Sequence, residues 1–187
     1  KSRKSTFAIH PGFASVANDG TCALAGYDGE IFIIDPDGEI LHRHKYGSNR
    51  SGNIDRQGPV DGVTVAIATN GGLAAFAFRK KLYLWNDGNF EDIDIPQGII
   101  SLIVQPDGSQ VYLSTDLGNL MALDPKGNDL WKKQLQPDVH LANAPDHNLL
   151  AADGSGILHQ FSADGQLIRK TNVWEDSLPL THQIVRP

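Results

Sequence analysis

The 187-residue sequence contains one cysteine, Cys22, and one methionine, Met121. A lone thiol can form neither an intrachain disulfide nor a thiolate metal cluster. Its apolar surroundings, TCALAGY, mark Cys22 as a small core residue, and the shortage of thiols fits a reducing, cytoplasmic compartment. Because Met121 is the only methionine, the chain does not start at an initiator. Either a leader has been removed or the chain is a piece of a longer polypeptide. Long apolar runs are missing too. The best of them, GLAAFAF from Gly72 to Phe78, falls well short of the roughly 20 residues that a membrane-spanning helix requires. Basic surplus is absent, the formal net charge being -6, so the electrostatic footprint of a nucleic-acid binder is not there. KSRK at the start is too short to serve as a nucleic-acid arm. No stretch of about 12 residues carries a helical apolar stripe.

The usual catalytic signatures are lacking as well. There is no G-x-S-x-G elbow, no P-loop and no H-E-x-x-H, and Ser155 in DGSGIL sits in a turn instead of between a strand and a helix. DPDGE at Asp35 to Glu39 lacks the spaced third carboxylate and distal Glu of an EF-hand, and is a turn. No catalytic residue is assigned, and no cofactor is implied.

What the sequence has in quantity is glycine, with 19 residues, and it is placed periodically. One turn recurs at Gly38 (DPDG), Gly88 (WNDG), Gly127 (DPKG) and Gly165 (SADG), with spacings of 50, 39 and 38 residues. A second recurs at Gly20 (ANDG), Gly71 (ATNG), Gly108 (QPDG) and His147 (APDH), with spacings of 51, 37 and 39. Two independent anchors give one period. Between them lie short runs with partial alternation, such as EIFIID, KLYLW, QVYLST and ILHQF. Each run is bounded by the Gly, Asn, Asp or Pro residues that tight turns require. Each unit is thus four short antiparallel strands.

A period near 38 residues carrying four strands predicts an all-β chain folded as a β-propeller or a major part of one. An all-β sandwich is the alternative, and the fixed spacing disfavours it. The segment MALDPKGNDLW resembles the β-propeller repeats of pyrroloquinoline-quinone enzymes, and more broadly WD-type repeats. Gly118, Ala122, Asp124, Gly127 and Trp131 match that pattern, with the Asp-to-Gly spacing one residue short. His42 and Arg169 occupy the Trp position in other units. The resemblance implies blade architecture over nearly the whole chain. Such repeats occur in quinone enzymes, assembly factors and scaffolds alike, so the resemblance leaves the chemistry open.

Four blades are expected, at about 7–46, 61–98, 99–136 and 137–176. Residues 177–187 are expected to form the first strand of a further blade, LPLTHQIVRP (178–187) aligning with IISLIVQPDG. Four blades can close only as a rare small propeller, with the leftover strand closing the ring edge to edge; the expectation is instead part of a larger ring, completed by further residues, by a second chain or by a symmetric copy. The first spacing exceeds the others by about 12 residues, and the excess, 47–60, falls within KYGSNRSGNIDRQGPVDG. This polar connector is either a solvated loop or a binding loop carrying Lys45, Tyr46, Asn49, Arg50, Asn53, Asp55 and Arg56. Alignment of the first strands makes Phe13, Thr64, Ser101, His140 and His182 equivalent, candidates to line a central channel. Two adjacent imidazoles, His140 and His182, suit a divalent metal, but no carboxylate recurs there to complete a ligand set, and no metal is assigned.

The function expected is a non-catalytic interaction platform whose partner is another protein, a second copy or the remainder of the same propeller. The alternatives are part of a propeller enzyme, of the quinone-dependent dehydrogenase or hydrolase type, or a ligand-sensing domain of a larger protein.

Overall fold

The computed structural model describes residues 11–26, 29–45 and 63–173. Sixteen strands follow one another in these residues: β1 (Pro11–Val16), β2 (Cys22–Gly26), β3 (Glu30–Ile34), β4 (Ile40–Lys45), β5 (Val63–Ile67), β6 (Leu73–Phe78), β7 (Lys81–Asn86), β8 (Asn89–Asp94), β9 (Ile99–Val104), β10 (Val111–Thr115), β11 (Asn119–Leu123), β12 (Asp129–Gln134), β13 (His140–Asn143), β14 (Leu149–Ala152), β15 (Ile157–Phe161) and β16 (Leu167–Asn172). They form four antiparallel sheets of four strands, each in sequence order. The only helical element among the described residues is the single turn Pro145–His147. The innermost strands of consecutive sheets pack side by side, β1 on β5, β5 on β9 and β9 on β13.

The turns form where the glycines fall. Gly38, Gly88, Gly127 and Gly165 all have φ between 80° and 89°. Around Gly38 and Gly127 the same device closes the hairpin. Asp35 Oδ1 accepts from the amides of Asp37 (3.0 Å) and Glu39 (2.8 Å), and Asp124 Oδ1 accepts from those of Lys126 (2.8 Å) and Asn128 (2.9 Å). Ser162 substitutes in the fourth sheet, accepting from the Gln166 amide at 3.1 Å. In the other turn series, His147 replaces glycine and adopts φ 58°, beside Asp146 at 60°. Two things hold it there: its carbonyl accepts from Gln105 Nε2 at 2.7 Å, and its Nδ1 lies 3.3 Å from Asp107 Oδ2.

The second and third sheets present apolar side chains on both faces, because strand residues alternate and both sides meet a neighbour. Ala23, Ala25, Ile31 and Ile33 of the first sheet pack on Ala74, Phe76, Tyr83 and Trp85 of the second. Leu73, Ala75, Ala77, Leu82 and Leu84, from the other face of the second, pack on Leu102, Val104, Val111, Leu113, Met121 and Leu123 of the third. Tyr112, Leu120 and Ala122 then meet Leu149, Ala151 and Phe161 of the fourth. Alanine fills the second strands β2 and β6, whereas Ile, Leu, Tyr and Trp fill the third strands β3 and β7. Cys22 is half-buried, not fully buried as its apolar run suggests, because it faces the side of the first sheet that no other described sheet covers.

Two kinds of polar contact tie sheet to sheet. At the turn after each first strand, the Asn18 amide donates to Thr69 O, the Thr69 amide to Pro106 O, each at 2.9 Å, and Gln105 Nε2 to His147 O. At the outer edge, a fourth-strand side chain reaches the next sheet. His42 stacks on Phe90, with centroids 4.6 Å apart. Trp131 lies over Gly165, where a Cβ would sit 2.7 Å from its ring, and its Nε1 donates to Ala163 O at 2.8 Å. Ile93 approaches Gly127 so closely that a Cβ there would overlap its Cδ1. Among the described residues the outer strands have one unpaired edge each, and charged residues blunt it: Arg43 and Lys45 on β4, Asp92 and Asp94 on β8, Lys132 and Lys133 on β12.

Two outcomes follow. His147→Gly relieves a left-handed histidine and should raise stability by about 0.5–1 kcal/mol, whereas Gly108→Ala, at φ 75° but with its nearest neighbours 3.5 Å from the new methyl, should lower it by about 1 kcal/mol. Differential scanning calorimetry should show melting temperatures moving in opposite directions. Trp131→Ala removes a ring wedged between two sheets and should cost about 2–3 kcal/mol in urea unfolding, with Trp131→Phe recovering the part not due to the Ala163 hydrogen bond.

Candidate functional site

Phe13, Thr64, Ser101 and His140 take matching positions on β1, β5, β9 and β13, paired across to Ala25, Ala77, Ser114 and Ala152. At this register the side chain faces the following sheet. Ser101 shows the result: its Oγ accepts from the Leu141 amide at 3.2 Å, a junction contact to the fourth sheet. Nearby, Ser114 Oγ donates to Val139 O at 2.5 Å and Asn143 Nδ2 to Val104 O at 2.9 Å. His140 is exposed, as no described sheet follows β13–β16. His182 lies outside the described residues, as do Tyr46, Asn49, Arg50, Asn53, Asp55, Arg56 and the strand expected at 177–187. Lys45 closes β4.

A cavity of about 360 Å³ opens between the third and fourth sheets, lined by Gln134, Leu135 and Gln136 on one side and Asp153, Ser155, Ile157, His159 and Lys170 on the other. The β14–β15 turn, DGSG, brings Asp153 to its floor. Its Oδ1 accepts from Ser155 Oγ at 2.6 Å and from the amides of Ser155 (3.1 Å) and Ile157 (3.3 Å), while its Oδ2 accepts from His159 Nε2 at 2.9 Å. Both side chains of the Asp153–His159 pair are nearly inaccessible, at 3% and 8%. Burial by itself would raise the Asp153 pKa. The hydrogen bonds from Ser155 and His159 and the two amides outweigh it and hold the carboxyl below its ordinary value.

The order of these groups limits their chemistry. A nucleophilic serine needs a base at its hydroxyl, oriented by a third group. Here the carboxylate stands between serine and histidine, and a carboxylate with a depressed pKa is too weak a base to deprotonate a hydroxyl at neutral pH. The constellation locks the turn. Among the described residues, no three His, Cys, Asp or Glu side chains gather as a metal-ion cage.

A surface feature escaped the sequence reading. In three sheets the ladder between the third and fourth strands skips one residue just after the turn: Leu41, Leu130 and Ile168 are the unpaired residues. All three are about half exposed, at 51%, 48% and 53%. Each directly precedes the aligned Trp position, at His42, Trp131 and Arg169, and that adjacency was the available signal. Exposed branched aliphatics thus recur at one repeat position of the first, third and fourth sheets, on outer strands otherwise rich in charge, while the second sheet has no counterpart.

Four radial four-stranded antiparallel sheets, joined in order and packed face on face, define a β-propeller fold. Among solved structures, the crystal structure of BamB from Moraxella catarrhalis matches with a TM-score of 0.65 and 16% sequence identity, over 86% of this chain and 48% of that one. The chain thus spans about half of that propeller's length. In all, 1323 solved chains match, a breadth that identifies architecture and not activity. No family model and no curated protein sequence matches the chain.

The Asp153 reading has a pH signature. The unfolded chain takes up the Asp153 proton near its ordinary carboxylate value and the folded chain only at lower pH. The stabilisation is therefore full above about pH 4 and drains away as pH falls through the depressed folded value. Asp153→Asn should cost about 2–3 kcal/mol near neutrality, since its remaining oxygen cannot serve all of these donors, and should flatten acid unfolding below about pH 4. Urea denaturation at pH 7, 5 and 3 measures both effects.

Proposed function

We propose that the protein is a non-catalytic β-propeller platform for binding a protein partner, of the scaffold or assembly-factor kind. The observation that carries the reading is the recurrence of Leu41, Leu130 and Ile168, exposed at one repeat position on a rigid rim. Isolated exposed aliphatics on a surface are ordinary; repeated ones at a fixed register, on strands kept soluble by charge, present a spaced set of apolar anchors. The rim suits an extended partner spanning several blades. The propeller fold shared with BamB is compatible with this role, and the turn-locking arrangement of Asp153 favours no enzymatic alternative.

The connector between β4 and β5 is a second contact region in this proposal, through Lys45, Tyr46, Asn49, Arg50, Asn53, Asp55 and Arg56. Long loops on rigid scaffolds often carry recognition. The position shared by Phe13, Thr64, Ser101, His140 and His182 is assigned to blade junctions and the channel wall, without a ligand role.

Photo-crosslinking amino acids placed singly at Leu41, Leu130 and Ile168, with Lys133 as control, test the rim in the native host. Discrete heteromeric adducts to one partner from the three positions and not from the control are expected. Equal or absent crosslinking at all four would overturn the rim assignment. Gly-Ser replacement of Ser48 to Arg56 should weaken capture of that partner while stability stays within about 0.5 kcal/mol by thermal unfolding.

A further inference from the structure

Two neighbouring junctions set equivalent residues around the same spot and treat it differently. Gly118 and Gly156 each turn the chain from second to third strand at φ 80°. Counting from them, Asp153 is the counterpart of Thr115, Ile157 of Asn119 and His159 of Met121. The connectors correspond as well. The Asp116 amide donates to Gly98 O and the Gly154 amide to Pro137 O, each at 2.8 Å, so Gln97 and Gln136, one residue earlier, share a position. Between the second and third sheets Gln97 closes the gap. Its Oε1 accepts from Thr115 Oγ1 at 2.7 Å and from Asn119 Nδ2 at 2.5 Å, and Met121 lies in the core beside them.

Between the third and fourth sheets the same amide has no donors to meet. Asp153 stands in place of Thr115 and can only accept, its two oxygens already taken by Ser155 Oγ, His159 Nε2 and the amides of Ser155 and Ile157. Ile157 stands in place of Asn119 and offers no polar group. Gln136 is accordingly exposed and makes no side-chain hydrogen bond among the described residues, and the cavity of about 360 Å³ opens there. Lys170 completes the contrast. It pairs across from His159 and lines the same cavity. Its counterpart one sheet earlier, Lys132, is neutralised by Asp129, three residues before it, at 2.7 Å. Three residues before Lys170 stands Leu167, and among the described residues Lys170 has no ion-pair partner. The polar groups left to a ligand are thus an ammonium and a primary amide, both able to donate, and they face the apolar side chains of Leu135 and Ile157 across one space.

We propose that this cavity binds a small aliphatic carboxylic acid, its carboxylate held by Lys170 Nζ and the Gln136 amide and its alkyl body lying between Leu135 and Ile157. A carboxylate is the head group that uses both donors, and its bond to an ammonium is charge-assisted. An amine would need the Asp153 oxygens, which are spent on the hairpin. The volume stands at the small end of ligand pockets, which run from roughly 300 to 1,000 Å³, and that limits the body to a short chain. The site does not depend on the rim residues that carry the partner-binding reading.

Titration of the isotope-labelled protein with isocaproate, followed by amide NMR, should give saturable shifts at Leu135, Gln136, Ile157 and Lys170, with a Kd on the order of a millimolar for so small a ligand. Lys170→Gln should weaken binding by about tenfold or more, and isocaproamide should bind the unaltered protein more weakly than the acid by a similar factor. Ile157→Phe, which fills the space, should abolish binding, whereas Lys132→Gln, at the matching place one sheet earlier, should leave it unchanged. The capped peptide acetyl-Leu-Glu-Leu-amide separates a free acid from the same group on a protein side chain, and should bind more weakly than isocaproate. Absence of saturable shifts, shifts that survive Ile157→Phe, equal binding of acid and amide, or tighter binding of the peptide would each overturn the proposal. Circular dichroism of each variant confirms folding, and the exposed Lys170 gives a variant that leaves the core untouched.

Discussion

A four-stranded sheet with apolar residues on both faces cannot exist alone in water, and everything else in this molecule follows from the need to cover those faces. Phe76, Tyr83 and Trp85 point one way from the second sheet, and Leu73, Leu82 and Leu84 point the other. Neither set is satisfied without a neighbour. At roughly 25 cal/mol per Å² of apolar surface, one bare face would forfeit several kcal/mol, comparable to the whole stability of a domain. Lateral packing is therefore the source of stability, as in other repeat architectures where each unit leans on the next.

The polar contacts serve that packing. The turn-to-turn bonds from Asn18 to Thr69, from Thr69 to Pro106 and from Gln105 to His147 fix how far one sheet may slide along another. The outer contacts of His42, Ile93 and Trp131 fix the other end. Because the junctions are directional, an arc of such sheets has a head that differs from its tail. The Asp153 cluster works at smaller range. By drawing Ser155, Ile157 and His159 onto one carboxylate it shapes the hairpin that walls the cavity next to Gln134 and Gln136.

Much of the fold was legible because its determinants are local. A turn glycine is a one-residue signal, and four of them, evenly spaced but for the insertion between the first two, report the third-to-fourth strand turns without any knowledge of packing. Even His147 was placed correctly by spacing, though its side chain gives no hint of a left-handed backbone. The site was far less legible. That Asp153 gathers donors from Ser155, Ile157 and His159 depends on the precise closure of a hairpin. That Leu41, Leu130 and Ile168 are exposed depends on a skipped ladder position, whereas a run such as EILHRH or DLWKKQL looks like an ordinary strand. Which face of Ser101 meets which neighbour depends on the partner sheet, and no single strand encodes it.

The distribution of side-chain bulk has a consequence for the size of the whole ring. Alanine dominates β2 and β6, near the axis, while branched and aromatic residues fill β3 and β7 farther out. The interface between the first two sheets is therefore a wedge, thin at the second strands and thick at the third, and the angle of such a wedge contributes to the arc a blade subtends. The third sheet departs from this, with Tyr112 on its second strand and Ala122 on its third. Exchanges of Ala for Val near the axis, or of Leu for Ala at the rim, change curvature before they change fold, and offer a lineage a route between rings of different size that requires no new strand.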